Sequence, residues 1–150
     1  MGKATPAVTT APAAQAITYG QTLAASVLSG GEGSVPGSFA FTTPTATPGA
    51  GTAAQGVTFT PTDSANYTPA TGSVSLTVNK APPSITWATP SAITYGTALT
   101  GTQLNATASV AGTFAYSQAT GSTPAAGTQT LSVTFTPEIG ANYTTATDSV

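Results

Sequence analysis

Six side chains carry formal charge: Lys3, Glu32, Asp63, Lys80, Glu138 and Asp148. No His, Arg or Cys accompanies them. Acid–base or nucleophilic catalysis needs titratable groups held together and tuned by a neighbour. Here the four acids stand far apart in sequence, and none has a basic neighbour placed to tune it. Asp63 and Glu138 occupy neighbouring places in turns that follow the same motif, so they are expected to polarise those turns rather than to pair. Calcium asks for several oxygen ligands and usually clustered carboxylates. Asp63, Ser64 and Asn66 offer one weak set, whereas an Asx-type turn uses the same residues without an ion. Lys3 and Lys80 stand at matching positions, where a lysine amine could attack an Asn carboxamide, but no acid recurs at a matched position to promote it. Lack of Cys removes disulfides, structural zinc and thiol chemistry together. The chain is therefore expected to be no enzyme and to carry no cofactor and no metal site.

Binding chemistry has a few further candidates. Trp87 is the only Trp, and the first half has Thr10 near the corresponding place. An aromatic there either contacts a ligand such as a sugar or packs at a junction between domains. Threonines at alternate positions, as in Thr58 and Thr60 or Thr130, Thr134 and Thr136, form short hydroxyl ladders whose simplest origin is β-propensity on a wet face. Asn66-Tyr67-Thr68, Asn105-Ala106-Thr107 and Asn142-Tyr143-Thr144 fit the glycosylation acceptor pattern, which is expected by chance in so Thr-rich a chain. Two lysines cannot neutralise a phosphate backbone, so no nucleic-acid partner is expected. No window approaches the roughly 18 consecutive apolar residues of a spanning helix, so no membrane insertion is expected either. Met1-Gly2-Lys3 is followed by no apolar stretch of the signal-peptide kind and reads as the start of a fragment of a longer chain.

The elements that position these residues come in two copies. Ile17-Thr18-Tyr19-Gly20 returns as Ile93-Thr94-Tyr95-Gly96, Val57–Pro61 as Val133–Pro137, and Ala65-Asn66-Tyr67-Thr68 as Ala141-Asn142-Tyr143-Thr144, each 76 positions later. Such an offset marks one supersecondary unit in tandem. Period-2 alternation runs through both copies: Leu131, Val133 and Phe135 against Ser132 and Thr134, and Val74, Leu76 and Val78 against Ser75 and Thr77. The expected inward face also holds Ile17, Leu23, Phe39, Val57 and Phe59, with Ile93, Leu99 and Phe114 as counterparts. No amphipathic helix is visible. Each copy offers about six or seven short strands, the pattern of a small β-sandwich. The expected fold is thus all-β, with two tandem immunoglobulin-like sandwiches over residues 1–79 and 80–150. Val78-Asn79-Lys80-Ala81-Pro82-Pro83 is a short Pro-containing linker that favours a semi-rigid rod. After Asp148-Ser149-Val150 the second copy has no counterpart of Ser75-Leu76-Thr77-Val78, so it lacks most of its last strand. Either the chain is cut there, or a strand from another molecule fills the gap.

At ITYG, Ala126–Pro137 and ANYT the chain resembles the bacterial immunoglobulin-like repeats of large secreted and surface proteins, in particular the MBG-type and group-three modules. The resemblance covers nearly the whole chain and implies stacked arrays that space or present other domains, with neighbouring repeats as partners and an extracellular or cell-surface address. Asp63-Ser64-Ala65-Asn66-Tyr67 also resembles the tyrosine corner of immunoglobulin domains, in which a Tyr hydroxyl bonds back to the backbone. The second copy has Ile139 in place of Asp63 and Tyr143 in place of Tyr67, and the alternative is that the tyrosine caps a hairpin. The expected function is a non-catalytic spacer or stalk of an adhesin-like protein. The alternatives are a module that binds a surface glycan or protein, and a subunit that completes its sheet by strand exchange with its own kind.

Overall fold

The structure is a computed structural model that describes residues 2–150. It is all-β: among the described residues there are thirteen strands, one 3-10 turn at Leu23–Ala25 and no α-helix. Among the described residues no helix is long and apolar enough to cross a membrane. The chain divides into two compact units, Met1–Lys80 and Ala81–Val150.

In the first unit the strands are β1 (Val8–Thr10), β2 (Ala13–Ala14), β3 (Ile17–Thr18), β4 (Leu28–Ser29), β5 (Glu32–Gly33), β6 (Gly37–Phe41), β7 (Gly51–Pro61) and β8 (Ala70–Asn79). The main sheet has the order β3-β8-β7-β6, flanked by the two-stranded ladders β1-β5 and β2-β4. β6, β7 and β8 run antiparallel to one another, while β3 joins β8 in parallel through Ile17–Val78 and Thr18–Asn79. Alternation decides which side of the sheet is dry. Val57, Phe59, Val74, Leu76 and Val78 are buried, and Ser73, Ser75 and Thr77 between them are exposed. Leu23 completes this core from the 3-10 turn rather than from a strand, and Phe39 is only half-buried.

The second unit holds β9 (Ile85–Thr86), β10 (Thr107–Ala108), β11 (Gly112–Tyr116), β12 (Ser132–Pro137) and β13 (Ala146–Ser149). β9 pairs with β10, and β11-β12-β13 form the main sheet. The registers are those of the first unit carried over: Phe59 faces Ala70 and Phe135 faces Ala146, Phe39 faces Phe59 and Phe114 faces Phe135. Glycine is required at the strand start beside each central Phe. A Cβ at Gly37 would run into the ring of Phe59, and one at Gly112 into the ring of Phe135. The core gathers Leu99, Leu131 and Val133 as expected, and adds Trp87, Leu104 and Ala106. Ile93 and Phe114, expected inside, are half-buried.

Two expectations need correction. Strand numbers are eight and five rather than six or seven in each copy, because residues 89–106 and 117–131 of the second unit enter no ladder. The expected linker is largely absorbed into the units. β8 runs to Asn79, Ala81 already bridges Tyr143, and Pro83 is buried. Lys80 ends the first unit and Ala81 begins the second.

Candidate functional site

Asp63 sits in the turn after β7, where its carboxylate is used by its own loop. Oδ1 accepts from the backbone N–H groups of Ala65 and Asn66, both at 3.2 Å, and Oδ2 accepts from Asn66 Nδ2 at 2.8 Å. This is an Asx-type turn with both oxygens occupied. The side-chain amide of Asn66, then its backbone N–H, holds the Asp63 carboxyl below its ordinary value of 3.8; the Ala65 N–H and the charge of Lys3 act in the same direction. The sign of the linkage follows. Above about pH 4 the contribution of the carboxylate to stability is complete. It is lost as the pH falls through the folded-state value, below 3.8. Calorimetry should therefore show the first unit losing stability on acidification through that window. Asp63→Asn should flatten the loss, and an unchanged slope would show that the turn carboxylate has no such role.

The same turn anchors the start of each unit. Ala4 forms a parallel bridge with Tyr67, and Ala81 forms one with Tyr143. Ala4 N–H donates to the Asn66 carbonyl and Thr68 N–H to that of Ala4, both at 2.9 Å. Ala81 and Thr144 repeat this with Asn142, at 2.9 and 3.1 Å. Lys3 Nζ adds a bond to the Ser64 carbonyl at 2.7 Å. Tyr67 is held through its backbone, its N–H donating to the Asp63 carbonyl at 3.1 Å. In the second unit the Tyr143 N–H donates to the carbonyl of Ile139 at 3.2 Å, so the turn survives loss of the acid.

Trp87, expected at a ligand contact or at the junction between domains, lies within the second unit. It is 7% exposed in the core of its own unit. Its ring meets Tyr116 edge-on with centroids 5.3 Å apart, and its Nε1–H donates to the Gln103 carbonyl at 2.9 Å. Thr42 and Thr58, and Thr52 and Thr77, share hydroxyl hydrogen bonds of 3.0 Å in pairs.

A groove of about 560 Å³ lies in the second unit, walled by residues 89–95, Thr97, Leu99, Gln103, residues 124–129, Leu131 and Val150. No charged side chain lines it. The corresponding place in the first unit is filled by the end of β8. There Val78 and Asn79 pair in parallel with Ile17 and Thr18, and Ser75 to Val78 pair antiparallel with Ala54 to Gly51. In the second unit Ile93–Thr94 and Gly127–Thr130 lie outside any ladder. The consequence is visible in one repeated tetrapeptide. Ile17 is 3% exposed and Tyr19 half-buried, whereas Ile93 is half-buried and Tyr95 is 77% exposed.

No family model, no curated protein and no solved structure matches the chain.

Proposed function

We propose that the chain is a non-catalytic spacer, a pair of immunoglobulin-like β-sandwich modules from a larger extracellular or cell-surface protein. Its ITYG, VTFTP and ANYT motifs resemble those of MBG-type and group-three bacterial repeats. The observation that carries the reading is the parallel tie at the start of each unit, Ala4 to Tyr67 and Ala81 to Tyr143. Parallel neighbours run the same way. Pulling the start of one and the end of the other slides them along each other and loads their hydrogen bonds together. A unit tied in this way resists tension along its chain, as a stalk must. The first unit adds a second parallel pair, β3 on β8.

Single-molecule pulling between the chain ends tests this. Each unit should rupture in one cooperative event, the first unit at the higher force, since forced unfolding reports the barrier rather than the equilibrium. Gradual lengthening of both units at low force would sink the spacer reading. Saturable binding of a surface polysaccharide or matrix protein would replace it with an adhesive one.

A further inference from the structure

We propose that Asn105 is a glycosylation acceptor, modified in the folded protein through its side-chain amide. The donor is a sugar activated at its anomeric carbon as a diphosphate ester. Three Asn-X-Thr tripeptides meet the sequence requirement, at Asn66, Asn105 and Asn142. Two of them are accounted for by the fold. Asn66-Tyr67-Thr68 and Asn142-Tyr143-Thr144 are the two copies of one repeated turn, which ties down the start of each unit through Ala4 and Ala81. Asn105-Ala106-Thr107 has no such duty. At the offset of the repeat the first unit has Ser29-Gly30-Gly31 in its place, so the repeated architecture does not call for this tripeptide.

Presentation separates the three. The acceptor pattern joins an Asn carboxamide to a Thr hydroxyl two residues on, so a transferase must reach both. Extended backbone allows this, because residues i and i+2 share a face. Leu104 and Ala106 are buried, while Asn105 and Thr107 alternate with them and are both exposed. In each of the other tripeptides only one member is exposed. Asn66 is exposed but Thr68 is half-buried, and Asn142 is half-buried although Thr144 is exposed.

The amides also differ in what they give up. Asn66 Nδ2 donates to the Asp63 carboxylate at 2.8 Å, and Thr68 shares a hydroxyl hydrogen bond of 3.0 Å with Thr5. A bond to a charged acceptor is the stronger kind. Asn105 Nδ2 donates to the neutral Thr102 carbonyl at 3.1 Å, and Thr107 Oγ1 donates to the Thr86 carbonyl at 3.3 Å. Transfer forms a bond from Nδ2 to the anomeric carbon. The bond from that carbon to the diphosphate oxygen breaks, its electron pair leaves on the diphosphate, and one amide proton passes to a base of the transferase. The second amide hydrogen remains, so the bond to Thr102 survives and the loop keeps its shape. The sugar adds a bulky, hydrated group to the surface. The proposal goes beyond the spacer reading and does not rest on it, since the presentation of Asn105 is a property of this loop alone.

The test incubates the folded full chain in two arms. One holds an oligosaccharyltransferase with a polyprenyl-diphosphate oligosaccharide, the other a soluble N-glycosyltransferase with a nucleotide-diphosphate sugar, which distinguishes the two sources of donor. Mass spectrometry should find a single glycan, on Asn105, in at least one arm. Its initial rate should exceed those at Asn66 and Asn142 by about tenfold or more, the factor that one or two net hydrogen bonds supply. Short peptides covering each tripeptide should react at similar rates, which places the selection in the fold. Asn105→Gln and Thr107→Ala should abolish modification without lowering the melting temperature, and Thr107→Ser should retain it. An Asn105 left unmodified in both arms, or modified no faster than Asn66 and Asn142, would overturn the proposal. So would peptides that reproduce the preference of the folded chain, which would assign it to local sequence instead.

Discussion

Replacing Phe135 by alanine is expected to remove about 3–5 kcal/mol from the second unit, the usual cost of emptying a buried Phe site. Phe135 is fully buried, its ring lies 4.8 Å from that of Phe114, and it covers the strand start at Gly112. Val133 on the same strand and Phe114 across it belong to the same antiparallel ladder, which limits how far their backbones can shift into the space. Small domains have about 5–15 kcal/mol in total, so this single change takes a large share. Thr134, one residue earlier, points to solvent. Its alanine variant should cost less than about one-third as much, within the range of ordinary surface changes. Urea titrations followed by the fluorescence of Trp87 compare the two, and equal losses of midpoint would overturn the assignment of faces along β12.

Trp87→Ala should be comparably severe, for two separable reasons. Deleting a buried indole costs about 3–5 kcal/mol in packing. It also leaves the part-buried Gln103 carbonyl without its donor, for which about 1–3 kcal/mol is typical. Trp87→Phe separates these contributions. It keeps most of the apolar contact with Tyr116, whose own hydroxyl accepts from the Ala106 N–H at 3.0 Å, but it cannot reach Gln103. Both variants lose the only indole, so the unfolding of the second unit is followed by calorimetry. The expected order is alanine well below phenylalanine and phenylalanine below the parent. A phenylalanine variant as unstable as alanine would show that the hydrogen bond, not the packing, holds Trp87 in place.

Alternation made β7, β8 and β12 legible in the sequence, because one wet and one dry face impose a period of two on side-chain choice. The two-residue ladders β2-β4 and β9-β10 carry no such signal, being too short to show a period. Leu23 was legible as core but not as part of a 3-10 turn. The place of Trp87 in the core of its unit was not legible, because the repeat has Thr10 near its position and so offers no buried counterpart to compare. Ile93 and Tyr95 show the limit most plainly. Their tetrapeptide is identical in both copies, and its burial is decided by residues some sixty positions further on. The Asx turn at Asp63 was readable locally, since every bond that fixes its carboxylate comes from within three residues.

The ties from Ala4 to Tyr67 and from Ala81 to Tyr143 also set the order in which the chain can become ordered. Each joins residues separated by most of a unit, so the loop between them must close before the bond repays its entropy. A fold dominated by such distant pairings crosses its barrier in milliseconds to seconds rather than microseconds. On the ribosome the first unit cannot finish until the end of β8 has emerged, at about 5–20 residues per second. Until then the start of β7 and the strand β3 wait with an open edge, since Ile17 and Thr18 have no partner before Val78 and Asn79.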